Sequence, residues 1–215
     1  TRFYFGAAAD LPVPGDYDGN GRADAAGFRG SSGLWAVTAL TRLIFGIDGD
    51  YPAVADYNGD GTSDIGIFRP GLGFWSVRGM GQDYFGVWGD LPVPGDYSGD
   101  GTAAPAIFRP VTGLWSARDV GSWYLGTAGD LPVPGDYRGT GPAAAAIFRP
   151  ATGLWTVLDF TRFWFGSSAD HPVPADFKGD GKDAAAVFRD ADGLWAVRAL
   201  TRAAFGLAGD LPATR

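Results

Sequence analysis

Two short segments of this 215-residue chain carry oxygen donors at a spacing that suits a hard cation. They are Asp16-x-Asp18-x-Asn20-Gly21-Arg22-x-Asp24 and Asp56-x-Asn58-x-Asp60-Gly61-Thr62-x-Asp64. Each offers side-chain oxygens at loop positions 1, 3, 5 and 9, and the backbone carbonyl of Arg22 or Thr62 adds a donor at position 7. Six to eight oxygens in a glycine-bent loop are what Ca²⁺ takes. With three Asp and one Asn, each loop carries a charge near −3 that a divalent ion would offset. An EF-hand does not fit, because position 12 is Gly27 in one loop and Ile67 in the other, where a bidentate Glu is needed. The competing reading is an Asp/Gly turn without metal.

Three further segments carry the same loop in decayed form. Asp96, Ser98, Asp100 and Thr102 form a third, weaker set, with Ala104 at position 9. Asp136-x-Arg138-x-Thr140 and Asp176-x-Lys178-x-Asp180 also end on alanine, at Ala144 and Ala184. Each has a basic side chain at position 3, expected to set its own charge against the remaining Asp in place of a metal.

The loops recur every 40 residues without insertion, and so does everything around them. Trp35, Trp75, Trp115, Trp155 and Trp195 are in register, as are the Phe-Arg pairs that begin at Phe28, Phe68, Phe108, Phe148 and Phe188. A constant period of this size means one supersecondary unit repeated, each too small to bury its apolar face alone. Within the first unit, residues 11–17, 24–29, 34–38 and 43–45 read as strands separated by Gly- and Asp-rich turns. Four antiparallel strands per repeat predict an all-β fold, a five-bladed β-propeller of 40-residue repeats. The blades fall at about 7–46, 47–86, 87–126, 127–166 and 167–206, in a single domain. Pro12 and Pro14 lie two apart, so their missing N–H groups share one strand edge, which suits an innermost strand facing a central channel. An extended loop is the alternative. The recurring Trp and Phe-Arg positions are expected to pack blade on blade, each Arg pairing with Asp10, Asp50, Asp90, Asp130 or Asp170; a ring of sugar-stacking Trp is the other reading. Residues 1–15 repeat 201–215, so two segments compete for one outer strand. Phe3 and Tyr4 stand where the C-terminal copy has Ala203 and Ala204, so residues 1–6 are expected to close the ring beside Trp195, leaving the other copy for self-association.

The Asp-rich loop, followed by Ala/Ile-Phe-Arg-Pro and Thr-Gly-Leu-Trp, resembles the FG-GAP/VCBS repeat. That family includes the calcium-bearing blades of integrin α-chain propellers and many secreted bacterial propellers. The resemblance implies Ca²⁺ in the hairpin between the first two strands of a blade, away from the usual ligand face. It departs from the integrin pattern in three degenerate loops and in five blades rather than seven, so integrin-type ligand recognition does not carry over.

Composition narrows the function. All 24 acidic residues are Asp, and of the 17 basic residues only Lys178 and Lys182 are Lys. Asp favours turns where Glu would favour helices. A net charge of −7 disfavours nucleic acid and anionic membranes. The absence of Cys excludes disulfides and thiol chemistry, and no apolar run approaches the roughly 20 residues of a membrane span. With neither an initial Met nor a signal-peptide pattern, the segment reads as a mature chain or an excised domain. Catalytic groups are few: there is no Glu, and the one His, His171, sits between Asp170 and Pro172 at a position held elsewhere by Leu or Tyr. An enzyme is not expected. The expected function is a non-catalytic, calcium-stabilised, extracellular or cell-surface module for glycan or protein. Tyr84, Tyr124 and Trp164, at one outer-strand position, and Trp88, in a blade connection, are the candidate ligand-binding residues, with outer-blade packing as the alternative. A self-assembling structural unit is the second reading and a polysaccharide-cleaving propeller the third.

Overall fold

The computed structural model describes residues 6–7, 9–38, 40–207 and 209–212. Among them there is no helix, and the strands form five four-stranded antiparallel sheets in a ring, a five-bladed β-propeller. Blade one comprises β1 (Leu11–Pro12), β2 (Ala26–Arg29), β3 (Leu34–Val37) and β4 (Thr41–Ile44). Blade two follows with β5 (Tyr51–Pro52), β6 (Gly66–Arg69), β7 (Phe74–Val77) and β8 (Gly81–Tyr84). Blade three has β9 (Leu91–Pro92), β10 (Ala106–Arg109), β11 (Leu114–Ala117) and β12 (Gly121–Tyr124). Blade four has β13 (Leu131–Pro132), β14 (Ala146–Arg149), β15 (Leu154–Val157) and β16 (Thr161–Trp164). Blade five ends the series with β17 (His171–Pro172), β18 (Ala186–Arg189), β19 (Leu194–Val197) and β20 (Thr201–Ala204). In every sheet the spatial order follows the sequence order, so each blade is a meander.

The innermost strand is shorter than the sequence pattern predicts. Only Leu11–Pro12 pairs with β2, and contact resumes as an isolated bridge between Gly15 and Asp24. Pro12 and Pro14 are not what shortens the strand: their N–H-less edge faces away from β2, and blade two, with Val54 in the place of Pro14, has an inner strand of the same two-residue length. Val13, between the two prolines, donates to the Ala26 carbonyl at 2.9 Å. The prolines of blades one to four line a central cavity of about 300 Å³ together with Val13, Ala53 and Val93.

The hairpin before each third strand needs glycine. Gly33 has φ +64°, and a Cβ there would lie 2.3 Å from the Gly46 carbonyl oxygen. That close approach lets the Phe45 N–H donate to the Gly33 carbonyl at 2.8 Å, which ends the outer strand.

Burial runs between blades. Phe28 and Trp35 of blade one pack on Ile65 and Ile67 of blade two. Phe68 and Trp75 meet Ile107, Phe108 and Trp115 meet Ile147, and Phe148 and Trp155 meet Val187. The first four recurring Trp are at most 1% exposed, so they are core side chains and not a sugar-binding ring. Their indole N–H groups donate to the carbonyls of Phe45, Phe85, Leu125 and Phe165. Each Phe-Arg arginine makes the expected two-pronged pair, from Arg29–Asp10 to Arg189–Asp170, with closest distances of 2.6–2.7 Å. The Asp50 carboxylate also accepts the Ile47 N–H, so the pair clasps the crossing from one blade to the next.

The fifth blade corrects the closure expected from the sequence. Its outer position is held by β20, with Trp195 opposite Ala203 and Leu194 opposite Ala204. The N-terminal copy expected there, residues 1–5, lies outside the described residues. The local reason is continuity. Three residues, 198–200, turn β19 into β20 and keep the antiparallel register used in every other blade.

Candidate metal loops and binding surface

The metal question turns on position 1 of each loop. Both Asp16 carboxylate oxygens accept backbone N–H groups: Gly19 and Asn20 donate to Oδ1 and Gly21 to Oδ2, at 2.7–3.1 Å. Asp56, Asp96, Asp136 and Asp176 hold their loops in the same way. The Asp at position 1 is therefore a turn-forming residue in all five loops, whatever the other positions carry. This explains why it persists where the rest of the ligand set is gone.

Position 9 is different. Its backbone bridges to the inner strand in every loop, including those with alanine. The side chain is not needed for that bridge, which leaves Asp24 and Asp64 available for chemistry. Each also accepts the N–H of the tyrosine at position 2, Tyr17 or Tyr57.

Among the described residues, loop one brings one carboxylate oxygen each from Asp16, Asp18 and Asp24 within 4.8 Å of one another. Oxygens about 2.3–2.6 Å from one ion can be at most about 5 Å apart, so the three fit a single Ca²⁺. Asn20 caps the loop by accepting the Arg22 N–H, and Arg22 itself is exposed. Loop two differs at Thr62, whose hydroxyl and N–H both donate to Asp60 Oδ1. The Asp60 oxygen is turned onto its own loop, and Asn58 accepts the Asp60 N–H. Burial, together with repulsion from Asp60 and Asp56, raises the Asp64 carboxyl above the usual range. Thr102 captures Asp100 as Thr62 captures Asp60, and Ser98 donates to Asp96. The sequence pattern counted the carbonyl at position 7 as a donor and missed what a hydroxyl there does.

Loops four and five do not hold an internal cation. The Arg138 guanidinium donates to the carbonyls of Leu158 and Asp159, at 3.1 and 2.9 Å, and not to Asp136. Lys178 makes no ion pair with Asp176 or Asp180, whose oxygens accept backbone N–H groups. Both basic side chains leave their loops for the clefts between blades.

The ligand-binding candidates are at the surface. Tyr84, Tyr124 and Trp164 are 67%, 71% and 69% exposed, and Trp88 is 82% exposed. Tyr84 touches Phe74 at 5.3 Å between ring centroids, yet most of its area stays open. Outer-blade packing does not account for these rings. His171 lies 3.9 Å from Asp190, and Asp170 beside it is committed to Arg189, so no base-and-orienter pair forms from neighbours in sequence.

No protein-family model matches the chain, and no curated protein matches it. Among solved structures it is similar to an Agrocybe aegerita lectin described as recognising non-reducing terminal N-acetylglucosamine. The TM-score is 0.53 and the identity 17%, over 84% of this chain and 61% of the lectin. The likeness is one of fold, and the chain spans less than two thirds of the lectin's length.

Proposed function

We propose that this chain is a non-catalytic glycan-binding propeller, stabilised by calcium and working outside the cell, as its resemblance to FG-GAP/VCBS repeats implies. The observation that carries the reading is the set of exposed rings Tyr84, Tyr124 and Trp164, presented at one register by three successive outer strands. A singly exposed apolar residue is ordinary, and what marks these rings is an aromatic at the same outer-strand register on three successive blades. A sugar's C–H face is a natural cover, and repetition by the propeller adds avidity to contacts that are weak singly. The fold shared with a lectin supports the same class of ligand. Calcium enters through loop one, where three carboxylates converge; loop two joins when Asp60 releases Thr62.

A neutral glycan panel read by tryptophan fluorescence tests the reading. Binding that drops when Trp164 and Tyr124 are replaced by Ala supports it, and binding indifferent to both contradicts it. Calcium at millimolar concentration is expected to raise the melting temperature, with Asp24→Ala losing more of the response than Asp64→Ala. An unchanged response in the double variant refutes the ligand assignment.

A further inference from the structure

Three cationic side chains meet in the cleft between blades four and five. The cavity there is about 280 Å³ and is lined by Lys178, Lys182, Arg198, Phe160 and Phe163 among others. Lys178 and Lys182 are the only lysines of the chain, in a molecule of net charge −7. None of the three cations takes part in an ion pair among the described residues. Two carboxylates share the lining, Asp180 and Asp183. Asp180 accepts the Lys182 N–H and Asp183 accepts the Asp136 N–H.

The other junctions show what is particular here. Between blades two and three, Arg118, the counterpart of Arg198, is paired with Asp83. Between blades three and four the cavity shrinks to about 180 Å³, Leu158 stands where Arg198 does, and Arg138 is spent on two carbonyls. Of these three clefts, that of blades four and five combines the larger volume with cations held by neither a carboxylate pair nor carbonyls. The Arg198 guanidinium is placed by stacking, its carbon 4.1 Å from the Phe163 centroid, and Phe163 lies parallel to the buried Trp155 at 6.1 Å. Phe160, 48% exposed, supplies an apolar wall, with Lys182 Nζ 5.7 Å from its centroid.

Resting on the glycan reading above, we propose that this cleft binds the carboxylate of an acidic saccharide, a uronic acid residue. The carboxylate would be met by Arg198 with the two lysines, and the sugar's apolar face would lie on Phe160. Charge-assisted contacts to a carboxylate are the stronger kind of hydrogen bond, and an aromatic wall selects a sugar over a bare anion.

Calorimetry at low salt with a galacturonic acid pentamer, its methyl ester and inorganic sulfate tests this. The pentamer should bind about tenfold more tightly than the ester, and Lys182→Ala and Arg198→Ala should each weaken it about tenfold. Arg42→Ala, at an exposed arginine of blade one, should leave the affinity unchanged and controls for overall charge. Equal binding of acid and ester would overturn the proposal while leaving the glycan reading standing. Binding of neither to a chain that still binds the neutral panel would overturn it as well, and failure of every glycan would overturn both. Competition by sulfate at the pentamer's own concentration would reduce the cleft to a general anion patch and so refute the saccharide assignment.

Discussion

Between blades three and four, Ile147 covers Phe108 and Trp115, and the Ala143 N–H donates to the Asp96 carbonyl at 2.7 Å. Between blades five and one, the position of Ile147 is Gly27, and no bond joins Ala23 to Asp176 among the described residues. Ser63, Ala103 and Asp183 make that bond at the other three junctions. Trp195 is only partly buried, the cluster around Phe188 contains no blade-one residue, and Phe177 is 38% exposed where Tyr137 is 4%. The difference teaches that a blade's strand ladders are its own, while its burial and one loop hydrogen bond belong to a pair of blades. A repeat supplies half of each interface, so an interface is only as good as the residue at position 27 of the following blade.

The largest expected effect separates the junctions by one residue type. Trp115→Ala should cost about 3–5 kcal/mol, as for a buried aromatic, and Trp195→Ala less than half of that because it begins partly exposed. Urea unfolding measures both, and equal losses would mean that the seam is as well sealed as the rest.

Next comes the ion-pair clasp. Asp170→Asn leaves Arg189 without its buried partner and should cost about 3 kcal/mol. Asp10→Asn, where the carboxylate is more exposed, should cost less. Burial pushes the Asp170 carboxyl up, but hydrogen bonds from Arg189 and Ser167 outweigh it and hold the group below its ordinary value. The Arg29 hydrogen bond lowers Asp10 likewise. A lowered carboxyl contributes stability above its unfolded value, and that contribution is lost as the pH falls through the folded one. Acid melting should therefore steepen below about pH 4 and flatten there in Asp170→Asn. A variant as acid-sensitive as the parent would contradict the assignment.

The smallest expected effect is a gain. A Cβ on Gly27 meets nothing closer than 3.9 Å, so Gly27→Ile should fit and restore the plug that Ile67, Ile107 and Ile147 provide elsewhere. About 1 kcal/mol of added stability is expected, from burial and strand preference. A lower melting temperature would show that the seam has no room for the side chain.

Much of the fold was legible because its causes lie within one 40-residue period. The alternation of Trp35 and Val37 marks the buried face of one strand, and the turn at Gly33 and the Arg29–Asp10 pair depend on partners at most 19 residues away. The candidate site was legible in composition and less so in geometry. Asp16, Asp18 and Asp24 converge as their spacing suggests, whereas Asp60 in a matching loop is diverted by the Thr62 hydroxyl. Local competition for a carboxylate is not visible in a ligand count.

The sequence by itself determined the repeat, the four-stranded unit, the buried Trp-Phe core and the clasp of Arg on Asp. Each follows from periodicity and from pairings inside one unit or its immediate connection. Tertiary structure alone decided that Arg138 reaches across to Leu158 and Asp159, and that Lys178, Lys182 and Arg198 share one cleft. It also decided that Thr201–Ala204 takes the outer place in blade five and that Tyr84, Tyr124 and Trp164 stay uncovered. These outcomes depend on how one blade sits against the next, and on the short connection that carries β19 into β20. A periodic sequence states the same thing at every repeat, so it cannot say where the repetition stops being equivalent.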